Sequence, residues 1–296
     1  MRNTVVVTDS AADLPLKMIE QEPALKVIPF PKAGNTSPLT LFSAYEAVMT
    51  DATVTTIVSA HVSRRISALY DTATLALSMF KPDRACIVLD SASLSLGQGL
   101  MVLSLLRCIQ QKPVMRMCLD LWEDSRIHTH VWIIQPAAFH DRLLPLWRLS
   151  SKLKERLHAR VVQTVHPNGI LSRGEIIRGR GALETMLEKA LREQLARYAH
   201  RSYRLGLSVY EPALAARASD EPTRFASDDG WMAPSQAIHT ASSEHISVEA
   251  WQQWLIDRFQ PVELIIGAMH PHLAAFLRFL PGTVAISVSP AYDTRS

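Results

Sequence analysis

Val5-Val6-Val7-Thr8-Asp9-Ser10-Ala11-Ala12-Asp13-Leu14-Pro15 decides the fold. Three β-branched apolar residues in a row suit a short strand covered on both faces, as in a parallel sheet. Asp9 and Ser10 fall just past its C-terminal end, the edge of an open α/β sheet where ligands collect. Ala85-Cys86-Ile87-Val88-Leu89-Asp90-Ser91 repeats the arrangement. Two such strands put two carboxylate and hydroxyl pairs on one rim. Short polar side chains at element ends also accept backbone N–H groups, so each Asp-Ser can equally be a cap.

Outward from this strand, the first 120 residues alternate strand and helix. Strands are expected over 4–8, 25–30, 53–62 and 85–89, and helices over 16–21, 41–49 and 97–110. A further helix is expected to open at Ser63-Arg64-Arg65, carrying Ile66, Leu69, Tyr70 and Ala73 at helical spacing. Such alternation implies a parallel sheet with helices on both faces. The composition changes after Leu121, and His130-Val131-Trp132-Ile133-Ile134 opens a second region. Residues 139–160 read as a basic amphipathic helix or helix pair, with Lys152-Leu153-Lys154-Glu155-Arg156 as a solvated face. A strand over 160–165 leads into a tight turn at His166-Pro167-Asn168-Gly169-Ile170, followed by a helix over 181–199. The chain closes with helix 248–259, strand 262–267, helix 271–280 and strand 283–288. The fold class is therefore α/β in two domains. Residues 1–122 form an N-terminal three-layer parallel-sheet domain. Residues 123–296 form a C-terminal α/β domain with an insertion around 200–247, loop-rich from 217. The ligand is expected between them.

The 296 residues favour two domains over one, and 48% hydrophobic against 20% charged residues suits an ordinary globular core. A net charge of +3 does not call for nucleic acid as a partner. Cys86, Cys108 and Cys118 have no metal spacing and read as reduced thiols, which points to a cytoplasmic protein. No signal peptide or transmembrane segment is expected; the apolar run from Gly99 to Ile109 is too short to span a bilayer.

His128 with His130, and His270 with His272, suggest metal pairs, but zinc needs three or four converging ligands and no Cys or Glu spacing accompanies them. No metal and no cofactor are expected. Gly97-Gln98-Gly99 and Gly179-Arg180-Gly181 lack the dinucleotide and phosphate-loop fingerprints. No Gly-x-Ser-x-Gly elbow is present. What remains is a set of hydroxyls and arginines at element ends. Thr36 and Ser37 lie in a loop, Ser63 follows a strand, and Arg148 lies in the second region. Hydroxyls, a helix N-terminus and an arginine together make a receptor for a carboxylate or phosphate.

The opening motif, followed by Val27-Ile28-Pro29-Phe30, resembles that of the DegV family of bacterial fatty-acid-binding proteins. Thr36-Ser37-Pro38 resembles a shortened form of that family's Thr-Ser-Gln-Pro loop. The run from Val62 to Ala73 aligns without gaps to its Ser-Ser-x-Leu-Ser-Gly-Thr-Tyr-x-Ser-Ala. Val88-Leu89-Asp90-Ser91 with Ser95-Leu96-Gly97-Gln98-Gly99 is similar to its next strand and helix. Leu146-Trp147-Arg148-Leu149 falls where the family has Gly-Gly-Arg-Ile, and Asn168-Gly169-Ile170 with Ile177-Arg178 where it has Asp-Gly-x-Ile and Val-Arg-Thr.

The resemblance implies a non-catalytic carrier holding one long-chain fatty acid in a tunnel between two domains. It implies a carboxylate held by Thr36 and Ser63, with Arg148 and Arg178 facing the carboxyl end or a fatty acid kinase subunit; Ser37 is a further ligand candidate, and so is Arg64, which replaces a family serine with a charge-assisted donor. The chain departs from the family pattern at Arg64, Ala68, Leu69, Leu146 and Trp147. The family's closing His-x-Gly-Pro-Gly has two placements. Element order gives Ser287-Val288-Ser289-Pro290, without a histidine; local similarity gives Ile266-Gly267-Ala268-Met269-His270-Pro271, which makes His270 a ligand candidate. Two other readings stand beside the carrier. One is a regulatory module whose tunnel is filled, using Trp147 and the basic face as a partner surface. The other is an enzyme using Asp9 and Asp90 on a small carboxylated or phosphorylated substrate.

Overall fold

The computed structural model describes residues 4–31, 36–80, 85–111, 114–136, 159–198, 202–210 and 247–291. Strands β1 (Thr4–Asp9), β2 (Leu25–Ile28), β3 (Thr56–His61) and β4 (Ala85–Asp90) form one sheet in the order β2-β1-β3-β4. Every pairing in it is parallel. β1 is buried along its whole length, as its unbroken apolar run predicts. Its odd and even positions divide between two cores. Val5 and Val7 pack with Leu41 and Tyr45 of α2 (Pro38–Met49) and with Leu69 and Ala73 of α3 (Leu69–Ser78). Val6 packs with Met101, Val102 and Leu105 of α4 (Ser95–Gln110) and with Cys118 and Trp122 of α5 (Met115–His128). A short turn at Ser10–Ala12 and the short α1 (Leu16–Glu20) connect β1 to β2.

The second sheet contains β5 (His130–Pro136), β6 (Arg160–Val165), β7 (Glu175–Ile177), β8 (Tyr203–Val209), β9 (Glu263–Ala268) and β10 (Val284–Pro290), in the order β7-β6-β5-β10-β8-β9. Its pairings are antiparallel except β8 with β9. Its outer face carries Trp132, Ile134, Leu205, Leu207, Ile286 and Val288. These pack against Leu183, Leu187 and Leu191 of α6 (Arg180–Ala196) and Trp251, Leu255 and Phe259 of α7 (Val248–Phe259). The inner face meets α4.

Helix α4 is the layer that both sheets share. Ser95 through Leu106 are all buried, and the stretch contains no charged residue. A helix that is apolar all round must be covered all round. One face covers the parallel sheet; Leu96, Leu100 and Leu103 turn to Ile265 of β9. The five layers are thus α2/α3, parallel sheet, α4/α5, mixed sheet and α6/α7.

The fold class is as the sequence implies, with several local corrections. No helix opens at Ser63: residues 63–67 form a turn, and α3 begins at Leu69. The Ser63 carbonyl accepts from the Ile66 and Ser67 N–H groups, and Ser67 Oγ accepts from the Leu69 N–H, so local bonds replace a helical turn. Helix α5, unexpected from sequence, contains the expected 122/123 boundary; the mixed sheet begins at His130. The expected insertion around 200–247 takes in β8, a sheet strand between β10 and β9. β7 is a further unexpected strand. The last helix, α8 (Pro271–Phe276), is shorter than expected. It stops before Arg278, which takes a left-handed φ of 57°. The stretches expected at 139–158 and 217–246 lie outside the described residues, as do Leu146, Trp147 and Arg148. Among the described residues no helix is long and apolar enough to cross a membrane, and no group of three His, Cys, Asp or Glu side chains could hold a metal ion.

Candidate ligand site at the seam between the sheets

All four parallel strands end on the same rim, and loops of the mixed sheet close over it. Asp9 ends β1 fully buried, with its carboxylate surrounded by donors. Oδ1 accepts from the Ala11 N–H at 3.1 Å, capping the short turn Ser10–Ala12. Oδ2 accepts from the Val62 N–H at 3.0 Å and from Gln98 Nε2 at 3.2 Å, and meets His61 Nδ1 at 3.0 Å. His61 Nε2 in turn lies 2.8 Å from Ser59 Oγ and 3.0 Å from the Tyr45 hydroxyl. Asp9 is thus tied to β3, α2 and α4 through bonds internal to the fold. Asp90 caps in the same way, accepting from the Arg64 and Ala92 N–H groups. The structure resolves the ambiguity of the two Asp-Ser pairs in favour of capping, and both carboxylates serve backbone turns.

Ser63 is fully buried at the exit of β3. Its hydroxyl donates to the Gly169 carbonyl at 2.8 Å, and its Oγ accepts from the Arg65 N–H at 3.1 Å. Gly169 belongs to the turn between β6 and β7 and has φ 81°. A Cβ there would lie 2.2 Å from Ser63 Oγ, so only glycine allows this contact. The hydroxyl proton that a carboxylate would need is already given to the mixed sheet.

Asp13 forms a second crossing of the seam. It sits in the left-handed region with φ 51°. It accepts from Ser95 Oγ at 2.6 Å, at the start of α4, and from the His270 N–H at 2.8 Å, after β9. Burial pushes its carboxyl up to about 7, against the opposing pull of those two hydrogen bonds and of the Ser208 hydroxyl. His270 Nδ1 is buried without a partner. Burial, and then neighbouring His272, pushes its imidazole down to about 4. The His272 ring lies 5.1 Å from that of His270, centroid to centroid, with Nδ1 3.0 Å from the Phe30 carbonyl and Nε2 buried without a partner. Phe30 stands edge-on to His270 and to Phe276. Ser10 Oγ accepts from the Phe30 N–H at 2.8 Å, which fixes this loop to the end of β1.

The expected residues therefore separate into three groups. Ser63 and His270 both lie at the seam, on different contacts. Arg64 is exposed, its guanidinium 3.1 Å from Asp71 and 5.0 Å over the Tyr70 ring. Ser37 is the exposed N-cap of α2, accepting from the Thr40 N–H, and Thr36 is half-buried just before it. Arg178 is exposed one residue beyond β7. Arg148 lies outside the described residues. Asp13, Ser95 and His272 join the seam without having been read as site residues. The spacing of His270 and His272 signalled only a metal pair. Gly97 and Gly99 are packing residues of α4: a Cβ would lie 2.3 Å from Val131 at the first and 2.5 Å from the Ala12 carbonyl at the second.

A parallel sheet whose C-terminal edge faces a second sheet, with apolar and unpartnered polar groups between them, defines a two-sheet α/β architecture. The model of a family described as "Uncharacterised protein, DegV family" matches residues 24–135. The DegV fold is shared over nearly the whole chain. A DegV family protein from Corynebacterium glutamicum has a TM-score of 0.68 at 17% identity, covering 99% of this chain and 100% of that one. A fatty-acid-binding DegV family protein from Thermus thermophilus has 0.65 at 18%, covering 98% and 100%. DegV, a fatty acid binding protein from Bacillus subtilis, has 0.66 at 17%, again covering 98% and 100%. No curated protein sequence matches. The family pattern is thus matched over residues 24–135, and the likeness of fold extends over nearly the whole chain.

Proposed function

We propose that this protein binds one long-chain fatty acid non-covalently at the seam between its two sheets and carries out no catalysis of its own. The observation that carries the reading is the likeness of fold, over 98% of this chain, to the Thermus and Bacillus proteins described as fatty acid binding. The seam supports it. A single apolar cluster runs from Phe30, Val62 and Leu94 to Val131, Ile133, Met269, Leu273 and Ala285, crossing from one sheet to the other. Burying an acyl chain there contributes about 0.8 kcal/mol per CH₂, so the head group needs only a few hydrogen bonds. His270 and His272 each have a buried ring nitrogen to spare at the seam. Presentation of the carboxyl group to a fatty acid kinase subunit belongs to the same proposal, with exposed Arg178 facing the carboxyl end or the partner. Asp9 and Asp90, occupied as caps, give little support to an enzyme.

One observation favours a second reading. The Ser63 hydroxyl donates to Gly169 rather than to open space, as a closed, filled seam acting as a regulatory module requires. Native mass spectrometry followed by organic extraction separates the two. A mass excess of a few hundred daltons that extracts as a fatty acid supports the carrier. No adduct and no uptake of added palmitate or oleate supports the closed module.

A further inference from the structure

The geometry points to the His270–His272 pair as a receptor for an un-ionised, hydrogen-bond-donating head group, so that the acyl ligand enters as a protonated acid, primary amide or alcohol rather than as a carboxylate anion. This rests on the acyl-ligand reading above and specifies its head-group chemistry.

The argument is one of donors and acceptors. A backbone carbonyl only accepts, so the contact between His272 Nδ1 and the Phe30 oxygen places the ring proton on Nδ1. In that tautomer Nε2 carries a lone pair, and it is buried with nothing donating to it. Such an atom calls for an N–H or O–H. His270 Nδ1, the other orphan, can donate or accept according to its tautomer. Together the two rings present an acceptor beside an adaptable atom. A carboxyl O–H with its carbonyl, or an amide N–H with its carbonyl, satisfies both. A carboxylate has only acceptors to offer and meets the His272 lone pair with its own.

The surroundings point the same way. The His270 N–H donates to the Asp13 carboxyl, and the buried Asp9 carboxyl stands at the end of β1 on the same rim. The hydroxyl that would serve an anion, Ser63, donates to Gly169, and Arg64 is tied to Asp71 at the surface. Phe30 and Phe276 line the rings with apolar surface.

The test uses delipidated full-length protein at pH 8 with oleate, oleamide and oleyl alcohol, each displacing a fluorescent acyl probe. Oleamide and oleyl alcohol are expected to bind at least as tightly as oleate. In His272→Phe, oleamide affinity is expected to fall about tenfold, the loss of one buried hydrogen bond, with oleate changing less than about threefold. His270→Phe is the second variant should the first not fold. Oleate binding more tightly than both neutral lipids, in wild type and with no response to either substitution, would overturn the head-group assignment while leaving the lipid reading intact. Failure of all three lipids to bind would overturn both.

Discussion

The two faces of the mixed sheet are made from the same strands and behave as opposites. Outward, Leu205, Leu207, Ile286 and Val288 present large side chains to α6 and α7. Inward, apart from buried Arg204, the same strands present small ones, Gly206, Ser208, Ala285, Ser287 and Ser289, on β8 and β10, the strands that α4 meets. A Cβ on Gly206 would come within 2.7 Å of Leu96 Cβ. Alternation with period 2 thus encodes size as well as polarity. The outer face is a conventional core held by bulk; the inner face is held by close approach, and its crossings of the seam depend on buried hydrogen bonds.

The comparison can be broken most forcefully at Asp13, which docks on the inner side. Its carboxyl, raised to about 7 from 3.8, holds a proton in the folded state that the unfolded chain loses at lower pH. Between about 4 and 7 the native state binds more protons. This group's contribution to stability is therefore greatest below 4 and declines as pH rises through 7. The full span is up to about 4 kcal/mol at 1.36 kcal/mol per unit. Asp13→Asn is expected to remove that slope. Urea melts of both proteins at pH 5 and pH 8 check it; parallel pH profiles would contradict it.

The next effects set bulk against closeness. Leu207→Ala on the outer face empties a fully buried site and is expected to cost about 3 kcal/mol. Gly206→Ala, its neighbour on the other face, adds one methyl and is expected to cost about 2 kcal/mol by overpacking against α4. Equilibrium unfolding measures both; a stabilising Gly206→Ala would show that α4 has room to retreat. The smallest effect sharpens the picture at the rim. Ser63→Ala removes one buried donor to Gly169 and is expected to cost about 1 kcal/mol. Hydrogen exchange confined to the 166–170 turn is its readout.

The parallel sheet was legible because its strands are buried on both faces and read as apolar runs. β8 was not, because Arg204, Gly206 and Ser208 face inward among apolar neighbours, and buried Arg204 makes the strand look like surface. α5 carried a faint signal: Cys118, Trp122 and Ser125 are buried at helical spacing, but charged residues between them and a serine in the apolar stripe diluted it. At the seam, residue types could be read but directions could not. Ser63 looks like a ligand donor until its acceptor appears on a residue 106 positions away. His270 was a ligand candidate by local similarity and His272 only half of a metal pair that was set aside, and the carbonyl of Phe30, which assigns the proton on His272, carries no sequence signature at all.

The position of α4 has an outcome for the molecule as a whole. A helix that completes two cores at once cannot leave one without exposing the other. Severing the chain between the sheets would give two fragments that each lack a wall, rather than two autonomous proteins. Mixed together, such fragments should seek each other out. The intact chain should melt in a calorimeter as a single peak, its van't Hoff and calorimetric enthalpies in agreement, so that heat dismantles both sheets together or neither.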